Sequence, residues 1–109
     1  MRAILITSNG EDDTRIKEVE INTNADIAGR LKTTLFEMEN VMWLGEQITI
    51  IFDENQDGNM GRYVRGLHDP IVGNIILMGG INSENEIMSL SDAVSRFDIP
   101  KFITGNLKF

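Results

Sequence analysis

Asp53, Asn55, Asp57 and Gly58 stand at positions 1, 3, 5 and 6 of the calcium-loop pattern D-x-[DN]-x-[DN]-G. Alternate spacing lets three oxygen-bearing side chains converge, and the glycine permits a sharp turn beneath them. Position 12 of the pattern calls for a bidentate glutamate, and Val64 stands there. The chain also enters the loop from a strand-like alternation, Gln47 to Phe52, and not from a helix. These residues therefore predict weak calcium binding at Asp53, Asn55 and Asp57 at most, and no other cofactor. The same Asp/Asn/Gly chemistry also makes an ordinary turn.

The remaining reactive residue types form weaker constellations. His68, the single histidine, is followed by Asp69, but sequence neighbours rarely aim at one another as a base and its orienter. There is no cysteine and no evident nucleophile, so no catalytic set is expected. Gly79-Gly80 after an apolar run matches neither phosphate-loop spacing. Glu84 and Glu86 read as a solvated pair. Arg62, Tyr63 and Arg65 offer an alternative anion or nucleotide site, and Arg96 would join the arginines if the fold converged them.

Charge narrows the partners. The chain has 109 residues and net charge −7. Residues 1–60 hold twelve acids and five bases, while residues 61–109 hold five of each. Between Lys32 and Arg62 lie Glu37, Glu39, Glu46, Asp53, Glu54 and Asp57 with no base among them. Such a surface repels phosphate backbones and attracts basic ones, so direct nucleic-acid binding is not expected and a basic protein surface is. An acidic surface also serves solubility alone. No apolar run reaches the roughly 18–20 residues of a membrane span, and the N-terminus lacks a secretory pattern. With no cysteine, the reading is a cytoplasmic protein.

Positioning these residues requires a small α+β domain: one mostly antiparallel sheet of about five strands with two helices, over residues 1–109. Arg2–Thr7 reads as a strand buried on both faces. Ser8-Asn9-Gly10 and the acids Glu11–Asp13 read as a loop, and Thr14–Ile21 as a half-buried partner strand. Thr23 with Asp26 forms a capping-box pattern, opening a helix over about 24–37 with Ile27, Leu31 and Leu35 on its apolar stripe. Asn40–Leu44 and Gln47–Phe52 form a hairpin about Gly45-Glu46, with Val41 opposite Ile50 and Trp43 opposite Ile48. Val41, Trp43, Ile48, Ile50 and Phe52 then share the core face. Tyr63 and Leu67 are expected to tuck under the sheet, with Arg62 and Arg65 outside. Ile71–Met78 reads as a central strand, bulged at Gly73. Ser89–Asp92 opens a second helix, with Leu90, Val94 and Phe97 buried, ending at Pro100. Ile99, Phe102, Ile103 and Leu107 lie in an extended tail that packs down.

The order of these features resembles a family of small proteins from bacteriophages, prophages and plasmids known as a domain of unknown function. The resemblance spans Asn40 to Phe97. Its carriers are Phe52-Asp53-Glu54-Asn55, the Gly58 turn, Arg62-Tyr63, Asp69 to Leu77, and Met88-Ser89-Leu90-Ser91-Asp92 running to Arg96-Phe97. Family members tend to carry Leu-Pro-Pro-Asn-Arg where this chain has Asn59 to Tyr63. The resemblance implies a mobile-element setting and brings no catalytic residues. By analogy with small acidic phage proteins, it suggests a non-enzymatic protein that occupies a host protein, in the manner of a DNA mimic or anti-defence inhibitor. The acids named above would form its contact face. A nucleotide-sequestering protein and a self-assembling module are the alternatives.

Overall fold

The computed structural model describes residues 1–7, 16–55 and 60–108. In chain order these form β1 (Arg2–Ile6), β2 (Ile16–Glu20), α1 (Asn24–Leu31), β3 (Phe36–Trp43), β4 (Glu46–Asp53), β5 (Met60–Val64), β6 (Ile71–Val72), β7 (Ile75–Gly79) and β8 (Ile103–Lys108), with a 3₁₀ turn at Ile99–Lys101. The fold is α+β. Five strands pair antiparallel in the order β2-β1-β7-β4-β3, and a separate antiparallel sheet runs β6-β5-β8. Two departures from expectation stand out: the strands divide into two sheets, and one α-helix is present among the described residues.

The large sheet is covered on both faces. Period-two alternation sends Ile4, Ile6, Val41, Trp43, Ile48, Ile50, Phe52 and Leu77 to one face, beneath Val64, Ile71, Val94, Phe102 and Ile103. Ala3, Leu5, Ile51, Ile76 and Met78 face the other way, beneath Ile27 and Leu31 of α1. The near-continuous apolar runs of β1 and β7 follow from this two-sided cover, and each fully buried Ile or Leu is worth about 1.5–3 kcal/mol. The molecule is three layers: helix, large sheet, small sheet.

α1 begins as its sequence requires. Thr23 accepts the Asp26 N–H (3.2 Å), and the Asp26 carboxylate accepts the Thr23 N–H (3.1 Å), closing a capping box. The helix ends at Leu31, not near 37, because Lys32 turns left-handed (φ 60°). Leu35 is consequently exposed, off the expected stripe.

Releasing those residues lengthens the next strand. β3 starts at Phe36, and the hairpin turns on Leu44 and Gly45, both with positive φ (54° and 74°), as a type I′ turn demands. The register is therefore Trp43↔Glu46 and Val41↔Ile48, shifted by two residues from the expected pairing. A shift of two preserves every facing, so the expected core set survives.

The stretch expected as one strand over Ile71–Met78 breaks at Gly73 (φ 96°). Its first half joins the small sheet and its second half becomes the central strand β7. Arg62 is buried in β5 while Tyr63 is 50% exposed, reversing the expected arrangement. Alternation sends Arg62 and Val64 of β5 inward and Tyr63 outward, whereas Arg65, just past the strand, is exposed and Leu67 is partly buried against the core, both as expected.

The second expected helix is absent from residues 89–98, which form turns. Arg2 holds this segment in place, donating to the carbonyl oxygens of Ser91 (2.8 Å) and Val94 (2.7 Å), while the Ser91 carbonyl also accepts the Val94 N–H (3.1 Å) as a turn. Ser91 Oγ and Asp98 Oδ2 accept the N–H groups of Ala93 and Ser95, local bonds that compete with helix. Leu90 and Val94 are buried as expected, but Phe97 is 75% exposed, with the Arg96 guanidinium 4.8 Å from its ring centre. Gly79 lets this segment approach. Its N–H donates to the Met88 carbonyl (2.9 Å), and a β-carbon there would collide with the Ser89 carbonyl oxygen.

Candidate functional site: the open edge at β3

β3 is eight residues long and forms one edge of the large sheet. No described strand pairs with its outer side. Trp43 and Glu46 flank a two-residue turn and so exchange hydrogen bonds, and in an antiparallel ladder such pairs alternate with open ones. It follows that Phe36, Met38, Asn40 and Met42 direct their backbone N–H and C=O away from β4.

Side chains on this edge divide by parity. Glu37 and Glu39 lie on the face of Val41 and Trp43, about 7 Å apart by strand rise. Met38 (39% exposed) and Met42 (66%) lie on the opposite face. Asn40, between them, accepts the Thr49 hydroxyl (3.1 Å), which satisfies that buried threonine.

Glu37 and Glu39 line a groove of about 430 Å³ together with His68 and Asp69, over Phe52 and Ile71. The far wall is the 66–70 turn, and three bonds hold it. Trp43 Nε1 donates to the Arg65 carbonyl (2.9 Å), Arg65 N–H to the Phe102 carbonyl (2.7 Å), and Leu67 N–H to the Val64 carbonyl (3.0 Å). The Trp43 and Phe102 rings stack with centroids 4.7 Å apart. Gly66 (φ 99°) sits where a β-carbon would meet Val41. Among the described residues the groove holds three carboxylates and no lysine or arginine, and no ion pair to Glu37, Glu39 or Asp69 occurs. The residues around Asp69 predict only its place beside His68; nothing local brings it to the groove of Glu37 and Glu39, because the turn that carries it is fixed by long-range bonds.

The other expected contact acids are distributed around the hairpin. Glu46 is opposite Trp43, at the turn end, roughly 13 Å along the strand from Glu39. Asp53 pairs with Phe36 and alternates to the helix-covered face. Glu54 is exposed and its N–H donates to the Leu35 carbonyl (3.0 Å). Asp57 and Gly58 lie outside the described residues, as does the stretch of residues 8–13 expected to form a loop. For the calcium reading, Asp53 Oδ1 accepts the Asn55 N–H (2.9 Å), an Asx turn. Among the described residues no three of His, Cys, Asp and Glu gather as a metal site.

Arg62, Tyr63 and Arg65 do not share a face. Arg62 donates to the Thr7 carbonyl (2.6 Å), and Arg96 reaches the nearby Ile16 carbonyl (3.5 Å), while Tyr63 on β5 and Arg65 just past it are exposed. Glu84 and Glu86 are exposed, their N–H groups held by Asn82 Oδ1 (2.9 and 3.0 Å). Among the described residues no helix is long and apolar enough to cross a membrane. No protein-family model matches the chain, and neither the curated proteins nor the solved structures contain a match.

Proposed function

We propose that this is a non-enzymatic binding protein that engages a basic surface of a partner protein through the β3 edge and its groove. The observation that carries the reading is the pair Glu37 and Glu39 beside Asp69, three carboxylates around an apolar floor with no cation among the described residues. Charges so placed steer a basic partner and select against phosphate. Glu46 and Glu54 add to the same field from the ends of the hairpin; Asp53, on the other face, and Asp57, outside the described residues, belong to the same acidic run of the sequence. The resemblance of Asn40–Phe97 to phage and plasmid proteins supplies the setting: the partner is a host protein of nucleic-acid handling or defence, met in the bacterial cytoplasm.

The test is affinity capture from host extract at low and at raised salt, comparing the natural chain with Glu37→Lys/Glu39→Lys/Asp69→Lys. A specific partner should be held by the natural chain, weaken with salt as screening shortens the field, and be lost from the variant. A partner retained equally by both proteins removes the acidic edge from the function. A thermal-shift screen over nucleotides addresses the nucleotide alternative, since a ligand that binds the folded state raises the melting temperature.

A further inference from the structure

We infer that the partner contact is made by strand addition: an extended segment of the partner, with lysine or arginine alternating with apolar residues, pairs antiparallel with β3 as a sixth strand. The inference rests on the binding-protein reading above and goes beyond it by naming the mode and the sequence pattern recognised.

Four residues, Phe36, Met38, Asn40 and Met42, present N–H and C=O groups along an edge that no described strand covers. Natural edges are blunted by charged side chains, lysine above all, and by proline, bulges, shortness or a covering loop; the charges on β3 are Glu37 and Glu39, which a basic strand neutralises. β3 has eight residues without proline or lysine, and its register with β4 runs unbroken from Phe36↔Asp53 to Trp43↔Glu46. It is a pairing template of the kind that peptide-binding domains use, in which main-chain bonds supply affinity and alternate side chains supply specificity.

Charge then selects the occupant. An incoming antiparallel residue opposite Met38, Asn40 or Met42 exchanges hydrogen bonds with it and shares its face; a residue opposite Glu37 or Glu39 does not exchange bonds and shares theirs. The first set lies beside Met38 and Met42 and is best apolar. The second faces Glu37 and Glu39 at the mouth of the groove and is best basic, one long side chain laying its methylenes over Phe52 and Ile71 with its head towards Asp69. A second copy of this chain suits the edge less well than a basic strand: it brings its own Glu37 and Glu39 and a net charge of −7, and registers centred on Met38 or Glu39 set glutamates of the two copies opposite one another.

The test uses the full chain and a fluorescein-labelled octapeptide alternating valine and lysine, read by anisotropy. Two counterparts of equal charge are N-methylated, one at the valine amides and one at the lysine amides. The valine amides are the ones that donate to β3, so the first counterpart should bind at least about tenfold more weakly than the parent, while the second should bind like it. Met38→Pro removes an outward donor of β3 without touching the β4 ladder, and should weaken the parent peptide by a similar factor while the melting temperature stays high. If that variant fails to fold, the methylated peptides on the natural chain still decide. Equal binding of all three peptides overturns strand addition while leaving the acidic-surface reading, which is judged by salt and charge reversal in the capture experiment. No binding of the parent peptide overturns it also. Sedimentation that shows a dimer broken by Met38→Pro would assign the edge to a second copy and overturn it.

Discussion

Arg2 holds more of this structure than its place beside the N-terminus suggests. Its guanidinium donates to the carbonyls of Leu90, Ser91 and Val94 and pairs with Glu18 at 2.6 Å, tying an irregular segment to β1. Its planar fork spreads five donors over well-separated acceptors, a reach that the single nitrogen of an ammonium does not match. Arg2→Ala should cost about 2–3 kcal/mol by urea unfolding, with Arg2→Lys recovering only part. Carboxylates at this scale also set a pH response. Glu18 is lowered first by its hydrogen bond to Arg2, and Glu20 by its bond to the terminal ammonium. Asp26 and Asp98 are lowered first by the backbone N–H groups of Asn22 and Ser95. Each is depressed in the folded state, so its contribution is present above the ordinary carboxylate pKa of about 4 and is lost as pH falls through the lower folded values. Melting temperature should therefore be flat near neutrality and drop below about pH 4.

At the scale of elements, the β3–β4 hairpin carries a local conflict. Its type I′ turn places Leu44, a residue poorly suited to positive φ, at the first central position with 54% of its surface exposed. Little burial is lost on replacing it, and asparagine tolerates this conformation. Leu44→Asn should raise stability by about 1 kcal/mol, measured by denaturant unfolding with an unchanged m-value. The same turn explains why the sequence suggested Gly45-Glu46 as the loop: the glycine was legible, its position in the turn was not. Pairing the whole of Phe36–Trp43 with β4 overrode the local preference, and it exposed the long edge on which the functional proposal depends.

Across the whole molecule, the small sheet packs on the large one through Val64, Ile71 and Ile103, with one aromatic stack beside them. Phe102 lies on Trp43, and the Arg65 carbonyl accepts the indole N–H, so the groove wall and the core anchor are a single assembly. Phe102→Ala should destabilise by about 3–5 kcal/mol and shift the emission of Trp43, the single tryptophan. Peptide binding by this variant should fall as well, because the 66–70 turn loses its support.

The sequence by itself determined what is local or periodic. The Thr23–Asp26 capping box, the core face of Val41, Trp43, Ile48, Ile50 and Phe52, and the acidic character of the hairpin were all legible in residue order. Even a register error of two left every core residue on its expected side, because side chains alternate with a period of two. Tertiary structure decided the rest. Residues 89–98 carry a helix-like pattern, yet they fold as turns tied to Arg2, some 90 positions away. The apolar run at Ile71–Met78 reads as one strand until Gly73 sends its halves to different sheets. Asp69 joins Glu37 and Glu39 only because Trp43 and Phe102 fix the turn between them. Each of these outcomes depends on a bond between residues far apart in the chain, and no local pattern encodes such a bond.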